Sequence, residues 1–146
     1  MSRVLLPLLL MGLLWGCDQN PAPSTDSPTV MASLSGTLIY PQSPTLPADA
    51  RIQVQLRDVS RADAPALVIA KVNLTVEGRQ PPLPFTLNYD PALIQPAYSY
   101  SVGARISDGD GKLLLINDRH IGVLTRGGAT AEVEVPLVAV IPAPTP

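Results

Sequence analysis

Alternation of apolar and polar residues with a period of two is the feature that most limits how this chain can fold. It recurs in four segments, 51–57, 83–89, 98–107 and 131–137. In the first of them, Ile52, Val54 and Leu56 alternate with polar side chains. Successive side chains of a strand point to opposite faces, so each segment predicts a strand with one face buried and the other in water.

Four further segments complete the predicted strands, at 34–40, 67–76, 112–116 and 121–124. In the second of these, the predicted core-facing set contains Val68, Ala70, Val72, Leu74 and Val76. In 98–107 we expect Tyr98 to share the buried face with Tyr100 and Val102.

Turn and breaker residues separate these strands. Asp108-Gly109-Asp110-Gly111 predicts a tight hairpin turn. Pro84 lacks the backbone N–H of a ladder donor, so its strand should lie at a sheet edge. Asp90 before Pro91 predicts an N-cap that opens one helical turn.

These features together predict an all-β fold. Seven or eight short strands in about a hundred residues suggest a single antiparallel β-sandwich of the immunoglobulin or transthyretin kind, at residues 33–138. The chain has 146 residues, a length that allows one domain, and we expect a monomer.

The first sixteen residues predict a secretory signal peptide (1–16). Arg3 supplies a positive front, and 4–16 is an apolar run of thirteen residues. Such a run is shorter than the roughly twenty residues that a membrane-spanning helix needs.

This run ends in a motif that resembles the bacterial lipobox. Leu14, Gly16 and Cys17 match its pattern, whereas Trp15 is bulkier than the residue usual there. The resemblance implies that the Cys17 thiol takes a diacylglyceryl group and that its new amine is acylated. We expect no other cofactor. Asp18 is a candidate sorting residue, which leaves inner and outer membrane as alternatives.

Two Pro-rich segments flank the predicted sandwich. Residues 17–32 follow the expected signal peptide and have no apolar periodicity, so we expect a disordered tether with a reach of about 20 Å; residues 139–146 form a Pro-rich tail. The formal net charge of −2 argues against a nucleic-acid partner. Loss of Arg3 with the signal peptide makes the chain one unit more negative, which argues against electrostatic attraction of the whole domain to anionic lipid. The acyl chains on Cys17 are the expected link to the bilayer, at the periplasmic side of the cell envelope.

Two segments are candidate partner-binding sites. In a loop after a strand, Asp58 and Asp63 flank Arg61; either arginine–carboxylate pairs hold this loop in shape, or it contacts a partner. Leu113 and Leu115 belong to an apolar run that is either a central strand buried on both faces or an exposed strip for a partner.

The sequence gives little support for a catalytic or a metal-binding site. Asp108 and Asp110 echo a calcium loop, but the later bidentate glutamate is missing. His120 beside Asp118 lacks a placed nucleophile. We therefore expect neither an enzyme nor a metal site.

Several spaced blocks of the chain resemble one family. They are LRDVSRADAPA at 56–66, GRQPPLPF at 78–85 followed by Tyr89-Asp90-Pro91, YSVGARI at 100–106 and VLTRG at 123–127. In this order, behind a lipobox, they resemble the YbaY-type lipoproteins, which are grouped with the YscW-type secretin pilotins. The resemblance implies a periplasmic β-sandwich lipoprotein and, by analogy, a chaperone for an outer-membrane secretin or another envelope assembly. A structural or envelope-homeostasis lipoprotein without a dedicated partner is the alternative.

Overall fold

The strands of the sandwich follow the alternating segments of the sequence. A computed structural model describes residues 29–41 and 45–140. In chain order the strands of this part are β1 (Ala32–Ile39), β2 (Arg51–Asp58), β3 (Leu67–Thr75), β4 (Leu83–Tyr89), β5 (Tyr100–Ser107), β6 (Leu113–Ile116), β7 (Gly122–Val123), β8 (Glu132–Pro136) and β9 (Val138–Ala139). All eight predicted strands are present; the two-residue β9 was not predicted.

The strands form two sheets packed face to face. The smaller sheet has the order β4-β1-β8, and the larger has the order β3-β2-β5-β6-β9, with β7 pairing β5. The predicted β-sandwich is confirmed. Strand β4, which carries Pro84, lies at a sheet edge as predicted.

The core lies between the sheets and is built from the apolar half of each alternation. Its side chains are mostly aliphatic, and Phe85, Tyr89 and Tyr100 are its large aromatic members. In β2, Ile52 and Val54 are almost completely buried, so this alternation predicts the buried face correctly.

One strand pair departs from the antiparallel pattern expected throughout. Strands β1 and β8 pair in parallel, from Ser35 opposite Glu132 to Ile39 opposite Pro136. Alternation specifies which face of a strand is buried but carries no information on the direction of its neighbour. Parallel pairing therefore could not be predicted from the pattern.

The predicted inward orientation of Val68 is wrong, because β3 contains a bulge. The register of β2 with β3 shifts between Leu56 and Arg57, so Leu56 pairs with Ala70 and Arg57 pairs with Val68. The extra residue, Ile69, packs against the core, whereas Val68 is 45% exposed. Strict period two fails because a bulge inserts one residue in one strand only.

Both predicted turns are confirmed. Asp108 Oδ1 accepts hydrogen bonds from the N–H groups of Asp110 (3.0 Å) and Lys112 (2.8 Å), which closes the hairpin between β5 and β6. Asp90 Oδ1 accepts from Ala92 N–H (2.9 Å) and caps a 3₁₀ turn at Pro91–Leu93. In the described part of the chain, no helix has the length and apolar character needed to cross a bilayer.

Candidate functional site

The expected lipid-attachment segment lies outside the described residues. This holds for Cys17, for the lipobox positions Leu14, Trp15 and Gly16, and for Asp18. Their roles remain predictions.

The loop after β2 is held by an aspartate and a serine. Asp58 Oδ1 accepts hydrogen bonds from the N–H (2.9 Å) and the hydroxyl of Ser60, an arrangement typical of an Asx-turn. Ser60 Oγ in turn accepts from Ser99 N–H (3.0 Å), which joins the loop to the segment before β5.

Ion pairs do not stabilise this loop, contrary to one interpretation of its sequence. Within residues 29–41 and 45–140, the only ion pair within 4.0 Å joins Arg79 to Glu77. Arg61 and Asp63 are exposed at the surface of the loop. Side-chain-to-backbone hydrogen bonds fix its shape, and the Arg61 guanidinium is available to an incoming ligand.

The side chain of Tyr100 holds the segment before β5 in place, next to the loop after β2. Its side chain is 1% exposed, and its hydroxyl accepts a hydrogen bond from Gln95 N–H (2.9 Å) and donates one to the Leu93 carbonyl (3.1 Å). A buried phenol bonded in this way holds the chain from Leu93 to Gln95 against the core.

The loop after β7 holds the same segment from its other side. Thr125 Oγ1 donates to the Tyr98 carbonyl (2.7 Å), and the Arg126 guanidinium donates to the Ala97 carbonyl (2.6 Å). Arg126 has a φ of +54°, which is unusual for a residue with a Cβ. Several hydrogen bonds therefore fix the backbone that carries Tyr98.

Tyr98 is exposed, which corrects its predicted place in the core. Strand β5 begins at Tyr100, and Tyr98 precedes it in a turn closed by Tyr98 N–H donating to the Gln95 carbonyl (3.0 Å). Its side chain is 40% exposed. The period-two pattern was extended two residues too far, because it does not mark where a strand begins.

Together these elements form a cleft of about 630 Å³ at one end of the larger sheet. Its lining consists of Asp58, Ser60, Arg61, Ala64, Pro65, Leu67 and Tyr98. Leu67 is 65% exposed and Tyr98 is 40% exposed, and they are the largest apolar side chains in this lining. Apolar anchors beside two opposite charges suit binding of a peptide segment.

Sequence reasoning did not identify Leu67 as a residue of this cleft, although it singled out the loop beside it. The only available signal was its position directly after 56–66, one of the distinctive blocks of the sequence. Asp58 and Arg61 are brought together in the cleft, whereas Asp63 does not line it.

The apolar run of β6 divides between core and surface. Leu115 is 2% exposed and faces the core, so its side chain offers almost no area to a partner. Leu113 and Leu114 are half-buried beside a shallower groove that Leu46 and Val140 also line. Strand β6 has a neighbour on each side, β5 and β9, as expected for a strand inside a sheet.

The residues weighed for catalysis or metal binding do not assemble into a site. His120 and Asp118 are both exposed, and no hydrogen bond joins them. Across the described ranges, no three His, Cys, Asp or Glu side chains come together as metal ligands.

Comparison with known proteins gives three consistent findings. The family model described as type III secretion system lipoprotein chaperone (YscW) matches residues 29–135. "Uncharacterized lipoprotein YbaY" of Escherichia coli (strain K12) is 37% identical over 122 residues, which cover 78% of this chain and 64% of that protein. The chain thus spans less than two thirds of the length of this curated relative. An alternative pilotin from the type II secretion system of Vibrio cholerae matches with a TM-score of 0.72 and 46% identity, over 76% of this chain and 98% of that one.

Proposed function

Since the chain belongs to the family of type III secretion system lipoprotein chaperones (YscW), we propose that it is a non-catalytic, pilotin-like binding module anchored in the bacterial envelope. Its partner is a segment of a secretin, the ring-forming outer-membrane component of a secretion system. Both the family description and the similarity to a type II secretion system pilotin support a role in secretion.

The observation that carries this proposal is the cleft between the Asp58–Arg61 loop and Tyr98. Tyr98 is a rigid amphipathic anchor, because hydrogen bonds between the backbone around it and the side chains of Ser60, Tyr100 and Thr125 fix that backbone. Preorganised aromatic side chains lose little conformational entropy on binding and are frequent hot spots of interfaces.

The chemistry of the cleft defines the partner segment. Leu67 and Tyr98 offer apolar area, while Asp58 and Arg61 offer one charge of each sign at the rim. The segment that fits is a short amphipathic peptide with apolar anchors flanked by a basic and an acidic residue. Charge complementarity at a rim contributes more to orientation and on-rate than to affinity.

A leucine pair in the chain provides a matched test of the cleft. Leu67 lines it and is 65% exposed, whereas Leu93 lies outside it and is 51% exposed. At exposed positions, Leu67→Lys and Leu93→Lys should each change the free energy of unfolding by less than about 0.5 kcal/mol. Losing a central apolar anchor should weaken binding of the secretin segment about tenfold or more, so only Leu67→Lys should have this effect.

The measurement combines secretin assembly in cells with binding in solution. Secretin multimers in the outer membrane are quantified in a deletion strain complemented with each variant, and affinity for soluble fragments of the secretin is measured by titration. Equal affinity of the wild type and Leu67→Lys would overturn the role of the cleft. Unchanged secretin assembly in the deletion strain would overturn the pilotin role and favour an envelope lipoprotein without a dedicated partner.

The lipid anchor is tested separately at Cys17. Cys17→Ala should abolish labelling by radioactive palmitate and leave the precursor unprocessed, because the thiol is the only acceptor in the chain for the diacylglyceryl group. Labelling that persists in this variant contradicts the anchor. Sucrose-gradient fractionation of the wild type and Asp18→Ser then decides between inner and outer membrane.

A further inference from the structure

The outer face of the larger sheet carries four cationic side chains. Ile52, Val54 and Leu56 of β2 point into the core, so Arg51 and Arg57 point outward. Register places Lys71 of β3 opposite Gln55 and Arg105 of β5 opposite Gln53, on the same outer face. Arg51, Lys71 and Arg105 are exposed, and Arg57 is half-buried. We call this surface the basic face.

The basic face lacks compensating acids. Among the strands of the larger sheet in the described residues, the only carboxylate is Asp58, at the last position of β2. None of the four cations forms an ion pair in this part of the chain.

Arg57 is held flat against the sheet. A Cβ atom at Gly103 would overlap its guanidinium group, so the glycine makes room for this side chain on the strand beside it. Arg57 Nε is buried and has no hydrogen-bond partner in the described residues. The guanidinium therefore lies over Gly103, on the outer face of β5.

The opposite face of the sandwich has the reverse charge. In β8, Val133 and Val135 point inward, whereas Glu132 and Glu134 are exposed on the outer face of the smaller sheet. The strands of that sheet contain neither lysine nor arginine. Although the formal net charge is only −2, the sandwich has one basic and one acidic side.

An apolar margin adjoins the basic face. Ile116 of β6 lies opposite Arg105 and pairs with Val138 of β9. These two side chains are 37% and 39% exposed. Cations beside exposed aliphatic side chains resemble the amphipathic surfaces that rest on membrane interfaces.

We propose that the basic face lies against an anionic phospholipid bilayer and so orients the anchored domain. This rests on the proposed lipid anchor at Cys17. Arg51 and Arg57 are about 20 Å apart along β2, and Lys71 and Arg105 are about 10 Å apart across it. This area is larger than one phosphate group and matches a planar array of lipid headgroups.

The length of chain between anchor and sandwich allows this contact. Residues 18–32 number fifteen and span at most roughly 50 Å when fully extended. A domain kept within this distance of a bilayer meets its headgroups at high effective concentration. A few cations then suffice to set its orientation, and the acidic face and β8 are directed away from the membrane.

The two lysines of the chain make this orientation measurable. Lys71 lies on the basic face, on the edge strand β3, and Lys112 lies in the β5–β6 hairpin. The full lipidated protein is inserted in vesicles of phosphatidylcholine, with or without phosphatidylglycerol, and amine acetylation is followed by mass spectrometry. Asn88→Lys adds a reporter on the outer face of the smaller sheet, where Asn88 is exposed.

With phosphatidylglycerol, Lys71 should react at least fivefold more slowly than in neutral vesicles, and the lysine introduced by Asn88→Lys should react at an unchanged rate. Arg105→Gln should reduce the protection about fivefold, the factor equivalent to about 1 kcal/mol per basic residue at an anionic surface. Glu134→Gln changes the charge by the same amount on the outer face of the smaller sheet and should have no effect. Salt at 1 M should abolish the protection, since the Debye length falls to about 3 Å.

Three results would overturn the proposal. They are equal reactivity of Lys71 in both vesicle types, equal effects of Arg105→Gln and Glu134→Gln, and protection of Lys71 that appears only when an acidic protein partner is added. Failure of the wild type to float with neutral vesicles contradicts the lipid anchor instead. In that case flotation with phosphatidylglycerol vesicles, compared between the wild type and Arg105→Gln, still decides the role of the basic face.

Discussion

Removing one oxygen atom from Tyr100 should destabilise the whole sandwich and loosen one wall of the cleft. The hydroxyl bridges Gln95 N–H at 2.9 Å and the Leu93 carbonyl at 3.1 Å, and the side chain is 1% exposed. Phenylalanine fills the same space, so Tyr100→Phe opens no cavity. The effect is confined to the two hydrogen bonds.

The magnitude follows from those two bonds. Each contributes about 0.5–1.5 kcal/mol net, so Tyr100→Phe should lower the free energy of unfolding by about 1–3 kcal/mol. For a domain of this size, each kcal/mol corresponds to a fall of about 4–8 °C in Tm. The backbone before Tyr98 loses its attachment to the core, so affinity for the secretin segment should fall as well.

Urea denaturation followed by far-UV circular dichroism measures this change. The midpoint should fall while the slope m stays constant, because the surface exposed on unfolding is unchanged. Tyr98→Phe is the control, since the Tyr98 side chain is 40% exposed and its hydroxyl makes no hydrogen bond within the described residues. The reasoning is refuted if Tyr100→Phe unfolds within about 0.5 kcal/mol of Tyr98→Phe, which is the range of an ordinary surface substitution.

Two further predictions concern stability. A Cβ at Gly36 would overlap the Val133 carbonyl oxygen and lie 2.6 Å from Phe85 Cζ, so Gly36→Ala should lower the free energy of unfolding by about 1–3 kcal/mol in the same urea assay; a stable Gly36→Ala protein would contradict the close approach of β1 and β8. Burial raises the pKa of the Tyr40 phenol above its ordinary value of 10.0. The native state then holds this proton more tightly than the unfolded state, so the stabilisation is complete below pH 10 and is lost as pH rises through the native pKa. Tyr40→Phe should flatten this alkaline loss in a pH series of thermal melts, and an identical slope in both proteins would disprove it.

The amino-acid sequence by itself determined the local structure of this protein. The apolar and turn patterns identified eight of the nine strands in the described residues. In β2 and β4 alternation also identified the buried face, because successive side chains of a strand point to opposite faces. The Asp108 hairpin and the Asp90 cap were equally local, since each depends on a side chain bonding to backbone a few residues away. Pro84 even placed its strand at an edge.

Only the tertiary structure decided which distant segments meet. The parallel pairing of β1 with β8, the bulge that turns Val68 outward and the exposure of Tyr98 depend on contacts between residues far apart in the chain. The cleft is one such product, because the loop after β2 and the segment before β5 meet through Ser60 and Ser99. The separation of charge between the two outer faces is another such product. Alternation along a strand predicts that each cation points outward from its own sheet. It does not show that Arg51 and Glu134 lie on opposite sides of the sandwich, and neither does the net charge of −2. Local periodicity orients side chains, whereas long-range pairing and packing decide which of them become neighbours.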